Sequence, residues 1–149
     1  MSDIYQRIYD RKRMAAAEAM SLIENGDFIC VPTGVGEPPT LLTALSEQRR
    51  NFHGVTVGQI LPLRKYAYID PETVDHVRHL AFFFGGATRP GGNEGWIDYL
   101  PSYFSEMPSL IRNRQLRVDA VFSMASPMDE HGFFALSLAT DYTMAAVSM

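Results

Sequence analysis

Phe28-Ile29-Cys30-Val31-Pro32-Thr33-Gly34-Val35-Gly36-Glu37-Pro38-Pro39 is the stretch that decides the fold. The unbroken apolar run 28–31 predicts a strand buried on both faces, of the kind found in a parallel sheet under helices. Prolines and glycines then exclude regular structure over most of 32–39. Pro38 or Pro39 can open a helix, because the first helical turn makes no use of the missing N–H. Leu41, Leu42, Ala44 and Leu45 give that helix an apolar face, which fades into the polar residues 48–51. Strand, glycine-rich turn and helix make half of a βαβ unit.

The same alternation extends outward. Residues 11–24 are mostly good helix formers with an apolar bias, and Asn25-Gly26 supplies a stop. Downstream, residues 55–61 read as a second strand and Asp70-Pro71-Glu72 as a helix start, with Val74 and Val77 as its apolar contacts. A third strand is predicted over 79–84 and a loop over 87–95. A helix follows over 102–113, broken or restarted near Pro108, then a strand over 118–124 and a further one at 133–136. Strands alternating with helices predict an α/β fold, a mainly parallel sheet flanked by helices. No interdomain linker interrupts the chain.

Composition narrows the class. The 149 residues suffice for one domain with a real core, and 46% apolar against 20% charged is ordinary for a globular protein. Thirteen basic and seventeen acidic residues leave a net charge of −4, which argues against nucleic acid as partner. No apolar run approaches the roughly 20 residues of a membrane helix, and the charged N-terminus lacks a signal-peptide core. Cys30 is the single cysteine, so an intrachain disulfide is excluded and a reducing cytoplasm is the expected location.

Three polar or glycine-rich segments fall at the predicted carboxyl ends of strands, where open α/β sheets bind ligands. In the first, Gly34, Val35, Gly36, Glu37 and Pro38 form a turn whose backbone N–H groups could stabilise negative charge. It lacks the Lys-Ser/Thr of a phosphate-binding loop and the third glycine of a dinucleotide site. Thr88 and Arg89 lie in the second, where the guanidinium suits a substrate carboxylate and the plainer alternative is a solvated arginine. The third combines Ser126, Pro127, Asp129, His131 and Gly132. Its serine, aspartate and histidine are the ingredients of a hydrolase triad, but they sit too close along one turn, without a G-x-S-x-G elbow. A turn with Asp129 bonded to backbone is the better reading. Cys30 reads as an inert buried thiol, and His53, His76, His79 and His131 as surface or strand-end histidines without a metal-ligand set.

Ordered blocks along almost the whole chain resemble the acetyl-CoA hydrolase and CoA-transferase family, and within it the 4-hydroxybutyrate CoA-transferase type. They are Ala17-Glu18-Ala19 with Ile23 to Asp27, Glu37-Pro38-Pro39, Thr88-Arg89, Tyr99-Leu100-Pro101, Glu106-Met107-Pro108-Ser109-Leu110-Ile111-Arg112 and Val118-Asp119. The most telling is Ser126-Pro127-Met128-Asp129-Glu130-His131-Gly132 followed by Asp141-Tyr142-Thr143.

The resemblance implies two similar α/β halves with the active site in the cleft between them, of which residues 1–149 are expected to form the N-terminal one, truncated at its C-terminal end. It also implies a reaction. A glutamate carboxylate attacks an acyl-CoA thioester to give an acyl-glutamyl anhydride and CoA thiolate. The thiolate returns to form a glutamyl-CoA thioester, which a second carboxylic acid resolves into new acyl-CoA. No tightly bound cofactor is needed; the coenzyme A thioester is substrate.

The implied partners are acyl-CoA, a small carboxylic acid, the C-terminal catalytic half and, as an oligomer, further copies of the chain. In this family the glutamate belongs to the C-terminal half, so no catalytic residue is expected here. Glu37 supports its turn, and the turns around Gly34, Arg89 and Ser126 to Gly132 form one wall of the cleft. The alternatives are a hydrolase of the same family, a non-catalytic subunit that pairs with a separate catalytic chain, and, more remotely, an esterase built on Ser126.

Overall fold

The computed structural model describes residues 2–136 and 138–149. Its centre is a five-stranded sheet in the order β4-β3-β2-β1-β5, with every pairing parallel. The strands are β1 (Phe28–Cys30), β2 (Val55–Gln59), β3 (Val77–Ala81), β4 (Asp98–Tyr99) and β5 (Ala120–Val121). The helices are α1 (Ser2–Lys12), α2 (Ala16–Ala19), α3 (Pro39–Gln48), α4 (Arg89–Glu94), α5 (Met107–Arg112) and α6 (Thr143–Val147). Because all strands run one way, every strand-to-helix connection leaves from the same edge of the sheet.

The apolar run of β1 serves two cores. Ile29 joins Leu42, Leu45, Val55, Val57 and Val77 on the face covered by α3. Phe28 and Cys30 point the other way, to Phe82, Met107, Ile111 and Tyr142 under α5 and α6. Period-two alternation of an all-apolar strand therefore feeds both layers, as expected for a sheet buried on both faces. Cys30 is fully buried, and burial first, then the charge of Asp141, pushes its thiol pKa up to about 12. Among the described residues no helix is long and apolar enough to cross a membrane.

Several boundaries differ from the sequence expectation. The helix expected over 11–24 is two: α1 ends at Lys12, and α2 begins after Ala15 adopts an extended conformation. Glu18 starts the second helix by accepting the Ala15 N–H at 3.1 Å. The helix expected from Asp70 is a single 3-10 turn, Pro71–Thr73, capped by Asp70. Val77 is not a helix contact; it begins β3 and is fully buried. The segment read as a loop over 87–95 contains α4, with Pro90 in its first turn and Gly95 left-handed at its end. Residues 133–136 form no strand, only an antiparallel bridge from Leu136 to Ala125.

Candidate functional site at the carboxyl edge of the sheet

The turn after β1 is fixed by its neighbours. Gly34 takes φ 41°, a left-handed value suited to glycine, and donates its N–H to the Leu61 carbonyl beyond β2 at 3.0 Å. Gly36 closes a 3-10 turn, and a Cβ there would lie 2.8 Å from the Ala139 Cβ and 3.0 Å from the Pro32 Cβ. The Leu61 side chain in turn occupies the space beside Gly85 after β3. Backbone and side chain thus lock the ends of β1, β2 and β3 together.

Glu37 holds the next layer. Its carboxylate is buried and accepts from Gln59 Nε2 at 3.0 Å, the Leu63 N–H at 3.2 Å and the Tyr66 hydroxyl at 3.0 Å. Gln59 also donates to the Pro32 carbonyl at 3.0 Å, so one buried amide ties β2 to the turn after β1. Burial, then the bond to Glu37, pushes the Tyr66 hydroxyl pKa up to about 12.

From Tyr66 a stack runs inward: Tyr66 on Tyr68 with centroids 5.9 Å apart, and Tyr68 on His79 at 6.2 Å. His79 is therefore not at a surface or strand end. It is buried in β3 with neither ring nitrogen hydrogen-bonded, and burial lowers its pKa to about 4, leaving a neutral ring. His76 lies outside the strand with Nδ1 2.7 Å from the Phe52 carbonyl oxygen. Among the described residues, no group of three His, Cys, Asp or Glu is placed to hold a metal ion.

A third layer was not singled out from the residue pattern. Tyr142, at the start of α6, donates its hydroxyl to the Val31 carbonyl and accepts the Ile60 N–H at 3.2 Å. Beside it, Asp141 accepts the Thr33 N–H at 2.7 Å and the N–H and hydroxyl of Thr143 at 3.0 Å each. One helix start thereby clamps the ends of β1 and β2. Its only signal in the sequence is the Asp-Tyr-Thr block itself, more than a hundred residues from Val31.

The remaining predicted residues separate. Thr88 is buried, its hydroxyl accepting the Gly85 N–H at 3.1 Å, whereas Arg89 is exposed and donates to the Phe84 carbonyl at 3.2 Å. Both lie at the end of β3, with β2 between them and the Gly34 turn. Ser126 accepts the Ala135 N–H and donates to the Pro127 carbonyl, each at 2.9 Å, and makes no bond to His131. Asp129 accepts the N–H groups of Phe133 at 2.8 Å and His131 at 2.9 Å. Those bonds, Phe133 first, hold its carboxyl below the usual range. Gly132 turns with φ 87° against the Tyr5 ring. The segment is a turn seated on α1, with no triad geometry.

A parallel α/β domain with an organised carboxyl edge is the class that fold and site define. The family profile of the acetyl-CoA hydrolase/transferase N-terminal domain matches residues 2–149, and the chain belongs to that family. It is 36% identical over 143 residues to a succinyl-CoA:cyclohexane-1-carboxylate CoA transferase of Geobacter metallireducens, covering 96% of this chain and 32% of that protein. To a 4-hydroxybutyrate coenzyme A transferase of Clostridium kluyveri it is 34% identical, covering 95% of this chain and 33% of the relative. The chain thus spans about a third of the length of these relatives. Among solved structures, RipA from Yersinia pestis superposes with a TM-score of 0.83 at 27% identity, over 95% of this chain and 35% of RipA.

Proposed function

We propose that this chain is the N-terminal part of an acyl-CoA:carboxylate CoA-transferase of the 4-hydroxybutyrate, acetate or butyrate type. It contributes a wall of the active-site cleft, and the nucleophilic glutamate comes from elsewhere in the enzyme. The observation that carries the reading is the state of the carboxylates at the carboxyl edge. Both oxygens of Glu37 are committed, in a buried site, to Gln59, Leu63 and Tyr66. Asp141 is committed to Thr33 and Thr143.

A carboxylate that attacks a thioester must present a free oxygen to the carbonyl carbon. Glu37 and Asp141 present none without dismantling the strand ends. Relatives named as CoA transferases and roughly three times as long support a partner half that supplies the group. Acyl-CoA and a small carboxylic acid are the substrates, in the cytoplasm, and the wall includes the Gly34–Pro38 turn and the Arg89 side chain.

Incubation of the isolated chain with butanoyl-CoA and acetate tests this. Acetyl-CoA should form no faster than in the blank, while the complete enzyme exchanges the acyl groups.

A further inference from the structure

The chain as a whole is acidic, with a net charge of −4, yet one pocket is lined mainly by cations. It has a volume of about 270 Å³ and lies on the face of the sheet covered by α3. Thr43 and Glu47 of α3 and Arg49 just after it form one side. Arg64, Lys65 and Tyr66, from the connection between β2 and β3, form the other.

The second side is anchored from within. The Leu63 N–H and the Tyr66 hydroxyl both bind the buried Glu37, so Arg64 and Lys65, the two residues between them, stand exposed on fixed backbone. The Arg64 guanidinium lies 5.5 Å above the Tyr66 ring centroid and, among the described residues, has no carboxylate partner. Arg49 Nη1 donates to the Ser46 carbonyl at 2.5 Å, and its Nε has no acceptor among the described residues. Lys65 is 3.8 Å from Asp70, in a solvent-exposed pair that water screens.

We propose that this pocket is a phosphate site, which takes inorganic phosphate or the phosphate group of a small phosphorylated metabolite outside the acyl-transfer cleft. Three cations against the single carboxylate of Glu47 leave a local excess of positive charge on a negative chain. Guanidinium groups match a phosphate through paired N–H donors, and the exposed Thr43 hydroxyl adds a neutral one. The volume falls below the roughly 300–1,000 Å³ of sites for drug-sized ligands, which suits a phosphate group rather than a whole coenzyme. A phosphate held there bridges α3 to the connection whose Leu63 and Tyr66 bind Glu37, and so supports the Glu37 array.

The test is calorimetric titration of inorganic phosphate, and separately of glycerol phosphate, into the complete enzyme at fixed ionic strength, with and without saturating coenzyme A. Saturable binding should persist in the presence of coenzyme A, and the tighter of the two ligands identifies the source. Arg64→Gln should weaken binding about 10-fold, the scale of one charge-assisted hydrogen bond. Glu47→Gln removes the opposing charge and should tighten binding about threefold. Both positions are exposed, so the fold tolerates the changes. Arg112→Gln, which removes a cation from α5 on the other face of the sheet, should leave binding unchanged. Absence of saturable binding, displacement of both ligands by coenzyme A, binding indifferent to Arg64→Gln, or equal weakening by Arg64→Gln and Arg112→Gln would each overturn the assignment.

Discussion

Glu37 sits 4% exposed, with three donors on its two oxygens, at the point where the turn after β1 meets the loop after β2. Removing it leaves Gln59, Tyr66 and the Leu63 N–H without their acceptor in a buried site. Glu37→Ala should therefore destabilise the domain by about 3 kcal/mol, and Glu37→Gln, which keeps an acceptor oxygen, by about 1 kcal/mol, read by urea denaturation. His79 makes a second prediction. Its pKa falls from an ordinary 6.5 to about 4 on folding, so between those values the unfolded chain binds a proton that the folded one does not. The stability it contributes is complete above pH 6.5 and is lost as pH falls towards 4, by about 3 kcal/mol in all. His79→Phe should flatten the pH dependence of the unfolding free energy across that window. An unchanged slope would show that the ring is not the group responsible. The family blocks imply that Glu37 supports its turn but not that its partners lie 22 and 29 residues away, and nothing local marks one histidine of four as interior.

The elements that the sequence announces well are those whose burial is continuous along the chain. The run Phe28 to Val31 suits a buried strand and contains β1, Phe28–Cys30, and Leu41 to Leu45 lie in the helix expected after it. Where a polar residue is buried, the reading slips: β3 starts at Val77 and includes His79, whereas residues 79–84 form the more apolar window. Glycine misled in the other direction. In α4, Gly91 and Gly92 are not loop residues but seats for side chains, since a Cβ would meet Ile97 at 2.6 Å and Phe84 at 2.5 Å. Helix α6 has five residues, too short to persist by propensity, and depends on its tertiary bonds. Tyr142→Phe removes the donor to Val31 and the acceptor for Ile60, and should cost about 1–3 kcal/mol. Hydrogen exchange should show the faster opening at Ile60 before the centre of β2 is affected. Uniform loss of protection across the sheet would contradict a local clamp.

At the scale of the molecule, the parallel sheet sends its turns to one edge, and that edge carries the buried Glu37 array and the Asp141-Tyr142 clamp. The three segments noted in the sequence do not converge equally. The Gly34 turn is central, Arg89 lies two strands away at the end of β3, and the Ser126 to Gly132 turn packs on α1 beyond β5. The family came from ordered blocks of residues, and the matched profile over residues 2–149 agrees with it. The central claim is that this domain shapes a cleft for acyl-CoA while the nucleophile lies outside it. Its most direct test is acyl exchange between butanoyl-CoA and acetate by the isolated 149-residue chain, beside the complete enzyme and the complete enzyme carrying Glu37→Gln. The account predicts blank-level acetyl-CoA from the isolated chain, and measurable exchange from both complete enzymes. Turnover by the isolated chain, or loss of exchange in the complete enzyme carrying Glu37→Gln, would contradict it.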